Sequence, residues 1–258
     1  MKSTPFPLLT AIALVASSLL PLTAAETNPN ADQLLRQMSA KLAAAQSFTF
    51  EARRELDPGL VEGINVPQKA NIAVAVQRPN KLAACATSDL GVRRFIADGR
   101  NLTLLDAKAN CYATVPMRTT LDGLLEQLDA KFGFTPPLAE FALSNPYKEL
   151  RSHANTISYL GRTKTQAGFL GLFGDECYRI ALKGQEADAE LWIAVNDQLP
   201  RKLIATFHRE GQPQLRITFS KWNLAATVSA SDFAFSPPQG SQKIEMWTTA
   251  RMQAARKR

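Results

Sequence analysis

The sequence predicts a mainly β, α+β protein: a single curved antiparallel sheet forming an unclosed β-barrel, with helices covering its concave face. Three observations carry this expectation. Apolar residues alternate with period two through many short segments. Turn residues separate those segments closely, as in an antiparallel meander. One stretch, residues 119–151, breaks into helical period instead.

The elements follow in chain order. Lys2 leads into an apolar run from Leu8 to Leu22, closed by Thr23-Ala24-Ala25. This is the pattern of a signal peptide over residues 1–25, cleaved after Ala25. The run is too short, and too interrupted by Pro21, for a membrane span. No cysteine follows it, which excludes a lipidated N-terminal cysteine. The remainder is expected to be one exported periplasmic domain, residues 26–250, with a basic tail over 251–258.

Asn30 is placed to cap a helix, with Gln33 in the capping-box position. Leu34, Leu35, Met38 and Leu42 then recur at helical spacing, so a helix is predicted over 31–45. After Ser47 the period changes. Phe48, Phe50, Ala52 and Leu56 share one parity, while Thr49, Glu51, Arg53 and Glu55 share the other, as in a strand with one buried face. Ile72, Val74 and Val76 repeat the pattern, as do Leu82, Ala84 and Ala86. Asp98-Gly99 marks a hairpin turn in which both residues take positive φ, flanked by strands near 92–97 and 100–106. A further strand runs from Cys111 to Val115.

In the helical stretch, Thr119 and Asp122 form a capping-box pair, and Leu121, Leu124, Leu125, Leu128 and Phe132 make an apolar stripe. Pro136-Pro137 opens a short helix with Leu138, Phe141 and Leu143, and Asn145-Pro146 starts a third. These stripes can be buried only against the sheet. The pattern then returns to strands carrying Ile157 and Tyr159; Tyr178, Ile180 and Leu182; Leu191, Ile193 and Val195; Leu203, Ala205 and Phe207; and Leu215, Ile217 and Phe219. About ten strands result, and a sheet of that size curls because twist accumulates.

Composition narrows the function. The 258 residues carry a formal net charge of +7, with only two histidines and three cysteines. A zinc site of His and Cys ligands is disfavoured, and no metal or cofactor is expected. Neither a Gly-x-Ser-x-Gly elbow, nor a phosphate-binding loop, nor a dinucleotide fingerprint is present. His153 and His208 stand far apart. No catalytic residue is therefore assigned, and the chain is read as not an enzyme. Cys85, Cys111 and Cys177 can hold one disulfide in an oxidising compartment or remain free thiols. Export makes nucleic acid an improbable partner for the positive charge.

Three features bear on binding. Arg54 falls on the apolar parity of Phe48 and Phe50, where a charge is costly unless paired or wet. It can hold the head group of a greasy ligand lying against those rings, or a bulge or strand end can return it to solvent. Second, Phe169, Leu170, Leu172 and Phe173 lie between glycines in a loop suited to touching a membrane or a hydrophobic partner. Third, Arg251, Arg256, Lys257 and Arg258 form a basic tail that favours an anionic membrane surface.

Several segments also carry a family resemblance: Tyr112-Ala113-Thr114-Val115-Pro116, Asn145-Pro146-Tyr147, Leu191-Trp192-Ile193-Ala194, Leu199-Pro200-Arg201-Lys202 and Phe233-Ala234-Phe235-Ser236-Pro237-Pro238. Through them the chain resembles a family of predicted periplasmic proteins over most of residues 31–246. That family is similar in fold to the lipoprotein carrier and receptor proteins of the bacterial envelope. The resemblance implies an incomplete β-barrel whose hydrophobic cavity is covered by helices, and it carries over no functional residue.

The expected function is a soluble periplasmic carrier for a lipid-like or acylated ligand, the alternative being a cell-envelope protein-interaction module, and a hydrolase a distant third. Replacing Phe169 and Phe173 with Ser is expected to weaken binding to liposomes or to a partner while leaving the fold intact. Unchanged binding in a flotation assay rejects that role for the loop.

Overall fold

The computed structural model describes residues 29–61, 65–134, 136, 138–165, 174–249 and 251. The expected signal peptide, the apolar loop residues Phe169, Leu170, Leu172 and Phe173, and the tail beyond Arg251 lie outside the described residues.

Helix α1 (Ala31–Ala44) precedes six strands: β1 (Ser47–Leu56), β2 (Gln68–Gln77), β3 (Lys81–Ser88), β4 (Gly91–Asp98), β5 (Asn101–Asp106) and β6 (Cys111–Pro116). Next come α2 (Leu121–Phe132), a 3-10 turn (Ala139–Ala142) and α3 (Pro146–Ser152). The second run of strands is β7 (Thr156–Lys164), β8 (Glu176–Lys183), β9 (Ala187–Ala194), β10 (Pro200–Phe207) and β11 (Gln214–Asn223). A second 3-10 turn (Ala230–Phe233) and the short β12 (Gln242–Lys243) finish the described fold.

All strands join one twelve-stranded sheet in the order β12-β6-β5-β4-β3-β2-β1-β11-β10-β9-β8-β7. It consists of two meanders joined where β1 pairs with β11. Pairing is antiparallel except between β12 and β6. The two end strands do not meet, so the barrel is unclosed, as expected. The sheet exceeds the roughly ten strands expected, in part because β12 spans two residues and is too short for alternation to register.

Local chemistry sets the boundaries. Asn30 Oδ1 accepts hydrogen bonds from the backbone N–H of Asp32 (2.9 Å) and Gln33 (3.2 Å), opening α1. The cap of α2 differs from expectation by one residue. Thr120, not Thr119, accepts from the N–H of Gly123 (3.3 Å). Asp122 leaves the capping box because Ser144, facing it, offers two donors, a backbone N–H at 2.8 Å and a hydroxyl. The β4–β5 turn is also shifted. Positive φ falls on Gly99 (+89°) alone, and Asp98 Oδ1 accepts from the N–H of Arg100 (2.7 Å) and Asn101 (2.6 Å). The central pair is thus Gly99-Arg100, with glycine first, the type II′ pattern.

The helices bury their stripes on one face of the sheet. Leu34, Leu35, Met38 and Leu42 of α1 and Leu121, Leu124 and Leu128 of α2 share one core with Phe48, Phe50, Val74, Val76, Ile217 and Phe219. Aromatic rings fill its centre. Phe50 lies 4.3 Å from Trp222 and 5.9 Å from Phe219 between centroids, and Phe141 of the first 3-10 turn meets Phe219 edge-on at 4.9 Å. The helical cover is fastened by Arg78, just past the end of β2. Its guanidinium donates to the carbonyls of Ala45 (3.1 Å), Leu42 (3.4 Å), Ala142 (2.9 Å) and Leu143 (2.8 Å).

The opposite face is crossed by the segment after β11. Ala226 O accepts from the Ser47 hydroxyl (2.7 Å), and Phe233 packs its buried ring over β3 and β4. Phe235 reaches Tyr112 at 5.1 Å, β12 then adds to β6, and Thr249 Oγ1 donates to Lys131 O at the end of α2 (3.2 Å). This strap explains why Ile96, Thr103 and Leu105, on the parity facing away from the helices, are nonetheless buried.

Phe50→Ala is expected to destabilise the protein by about 3–5 kcal/mol, since truncation opens a cavity among the rings of Phe48, Phe219 and Trp222. Urea unfolding measures this. A loss below about 1 kcal/mol contradicts the packing described.

Candidate binding site

Arg54 remains on the helix-facing side of the sheet. It stands in unbroken register between Ala70 of β2 and Ile217 of β11, which are 4% and 1% exposed. The irregularity in the β1–β11 ladder lies elsewhere, between Thr49 and Glu51, opposite Lys221 with its positive φ of +53°. No bulge returns Arg54 to solvent. Its side chain is half-buried, and its Nε is buried without a hydrogen-bond partner. Burial, and secondarily the Arg93 charge, hold its pKa below the usual arginine value. A guanidinium whose buried Nε lacks an acceptor carries a desolvation cost that its own strand does not offset.

Arg93 shares this face, one register row away, by its pairing opposite Ala86 of β3. It differs from Arg54 in having an acid: Nε donates to Asp106 Oδ2 at 2.9 Å across β4 and β5. Around the two arginines, at the strand ends remote from the start of β1, Leu56, Ala86, Leu104, Ala189, Ala205 and Leu215 are only half-buried. The face therefore has two zones. One is sealed beneath the helices; the other is a mouth with apolar walls and Arg54 at its boundary.

Phe48 and Phe50 belong to the sealed zone. They are 0% and 2% exposed and packed against Trp222 and Phe219. They are separated from Arg54 by Ala52 along β1, itself buried. The structure thus places Arg54 at the mouth and the two phenylalanines behind it, on one strand but in different surroundings.

The remaining polar candidates stand apart. All three cysteines are free. Cys177 is buried, which pushes its thiol up to about 11. His153 lies 3.1 Å from Glu149 on α3, while His208 Nδ1 is 2.9 Å from Gln185 O beyond β10. Among the described residues no cluster of three or more His, Cys, Asp or Glu could hold a metal ion, and no helix is long and apolar enough to cross a membrane. On the outer face, a groove of about 490 Å³ is lined by Ala73, Ala75, Ala83 and Cys85, with the Lys221–Glu51 ion pair (2.9 Å) at its margin.

Sequence reasoning singled out Arg54 because one charge interrupts an apolar parity. It missed Arg93 and Asp106. Alternation could have found them, since each occupies the same parity as the apolar residues of its strand. If Arg54 is carried for binding, Arg54→Met should raise stability by on the order of 1 kcal/mol. A clear loss in chemical denaturation would show a structural role instead.

The family model described as predicted periplasmic protein (DUF2092) matches residues 31–247. No curated protein matches the chain. Among solved structures, the chain is similar to the MucA/MucB complex of Pseudomonas aeruginosa, with 16% identity and a TM-score of 0.44 over 81% of this chain. It spans 62% of that matched chain. It is also similar to a LolA superfamily protein from Nitrosomonas europaea, with 11% identity and a TM-score of 0.38, covering 80% of this chain and 99% of the other. A DUF1329 family protein from Desulfovibrio piger gives 11% identity and a TM-score of 0.36, covering 79% and 95%. By the match that covers α1 through the strap, the chain belongs to the DUF2092 family of predicted periplasmic proteins.

Proposed function

We propose that the protein is a non-catalytic periplasmic binding protein, exported by cleavage after Ala25, that takes a lipid-like or acylated ligand at the mouth of its concave face. The observation that carries this reading is Arg54: a half-buried guanidinium with an unsatisfied Nε, beside half-exposed apolar side chains. An anionic or carbonyl head group supplies the missing acceptor through a charge-assisted hydrogen bond. Acyl methylenes against Leu56, Leu104 and Leu215 each gain roughly 0.8 kcal/mol on leaving water. A longer chain reaches Phe50 and Phe48 only if the helical cover lifts. The loop carrying Phe169, Leu170, Leu172 and Phe173 would meet the membrane or partner, aided by the basic tail.

The second reading is an envelope protein-interaction module. It is favoured by the rings of Phe48, Phe50, Phe141, Phe219 and Trp222, which occupy the space under the helices that an acyl chain would need. Native mass spectrometry of protein purified without detergent, with uptake of a fluorescent fatty acyl probe, separates the two. The carrier reading expects copurifying lipid or saturable uptake, lost in Arg54→Met. Neither lipid nor uptake in the wild-type protein would sink it and leave the interaction module.

A further inference from the structure

The helical cover carries a second concavity, remote from the mouth. Between α2, the first 3-10 turn and α3 lies a cleft of about 720 Å³, with apolar lining from Leu125, Leu143 and Leu150. Its remaining lining is strongly acidic. Asp122, Glu126 and Asp129 come from α2, Glu140 from the 3-10 turn and Glu149 from α3, against Lys148 and His153. On a chain whose formal net charge is +7, this is a local inversion of sign.

Two of the acids are occupied. Asp122 accepts from Ser144, and Glu149 lies 3.1 Å from His153. Glu126, Asp129 and Glu140 have no ion-pair partner among the described residues. Asp122, Glu126 and Asp129 recur at i, i+4 and i+7, which places them on one side of α2. The helix has 12 residues and is therefore ~18 Å long. An apolar lining beside a row of carboxylates of that length complements an amphipathic segment with one basic face, the helix-in-groove mode of recognition.

We propose that this cleft docks a Lys- or Arg-bearing amphipathic segment of a partner protein. The cations lie along Glu126, Asp129 and Glu140, and the apolar side chains enter between Leu125, Leu143 and Leu150. A bare polyamine satisfies the charges but leaves the leucines wet, and the described residues hold no metal-binding cluster. The proposal does not depend on the ligand reading of Arg54, which concerns a different face.

Glu140 makes this docking sensitive to pH. Burial, reinforced by the charge of Glu149 and opposed by His153, pushes its carboxyl up to about 7. The groups facing the cleft with it are Asp122, Glu126 and Asp129 of α2 and Lys148, Glu149 and His153 of α3. Below that pKa Glu140 is neutral; above it, the cleft gains a negative charge that a bound cation stabilises. Affinity therefore rises with pH through neutrality.

The test uses a fluorescein-labelled helical peptide of about 12 residues, with Lys at i, i+4 and i+7 and Leu on the adjoining face, and a counterpart with Glu in place of Lys. Fluorescence anisotropy should show binding of the Lys peptide but not of the Glu peptide. The double variant Glu126→Lys/Asp129→Lys, at two exposed positions, should weaken binding about tenfold or more while the circular dichroism spectrum stays unchanged. Arg54→Met should leave it unaltered. The rise in affinity from pH 6 to 8 should be markedly smaller in Glu140→Gln than in wild type or His153→Gln. Equal binding to wild type and double variant, displacement by spermine as effective as by unlabelled peptide, or loss in Arg54→Met would each overturn the proposal.

Discussion

The helical cover is fastened to the sheet through the guanidinium of Arg78. The last carbonyls of a helix have no donor within it, and here two such ends converge: Leu42 and Ala45 at the end of α1, Ala142 and Leu143 at the end of the first 3-10 turn. Leu42 O also accepts the N–H of Ala45 at 3.3 Å; burying the other three oxygens without partners would cost roughly 1–3 kcal/mol each. A single planar cation with five N–H groups serves all four. Burial lowers the pKa of Arg78 from its usual value, partly offset by the charge of Asp122. No lysine could replace it, because three donors on one nitrogen cannot span two helix ends. The placement of Phe141 on Phe219, and hence the sealing of the aromatic core, follows from this contact.

That sealing divides the concave face into unlike zones. Where helices lie over the sheet, the rings of Phe48, Phe50, Phe141, Phe219 and Trp222 pack against one another. Where they do not, the same face continues as half-exposed leucines and alanines with two arginines. Arg93 and Asp106 satisfy each other; Arg54 has no such partner. Two arginines on one concave surface are thus distinguished by their neighbours: Arg93 is exposed and paired with an acid, whereas Arg54 carries a buried Nε without an acceptor.

Much of the sheet was legible because each strand buries one face, so a period of two is written directly into β1, β2 and β11. The helix stripes were legible for the same reason. The misplaced features depended on partners distant in sequence. Thr119 and Asp122 have the spacing of a capping box, but Ser144 draws Asp122 away. Asp98-Gly99 suggests a turn centred on both residues, yet Asp98 ends β4 and its carboxylate accepts from the N–H groups of Arg100 and Asn101. The four carbonyls met by Arg78 have no sequence signal, since any residue supplies a carbonyl. The acidic cleft is likewise assembled from three elements, none acidic enough alone to stand out. Arg54 was visible because its anomaly is local: a charge on the wrong parity.

The position of β1 has a consequence for the order in which the molecule is assembled. On one side it pairs with β2, the next strand along the chain; on the other with β11, more than 150 residues later, as in Ala52 opposite Phe219. Each meander can zip from its own hairpins at little entropic cost, whereas the β1–β11 seam closes the longest loop in the sheet. Until it closes, Phe50 has neither Phe219 nor Trp222 against it. The aromatic core is thus absent from either half alone, and the two halves acquire a common interior only in the step that joins them.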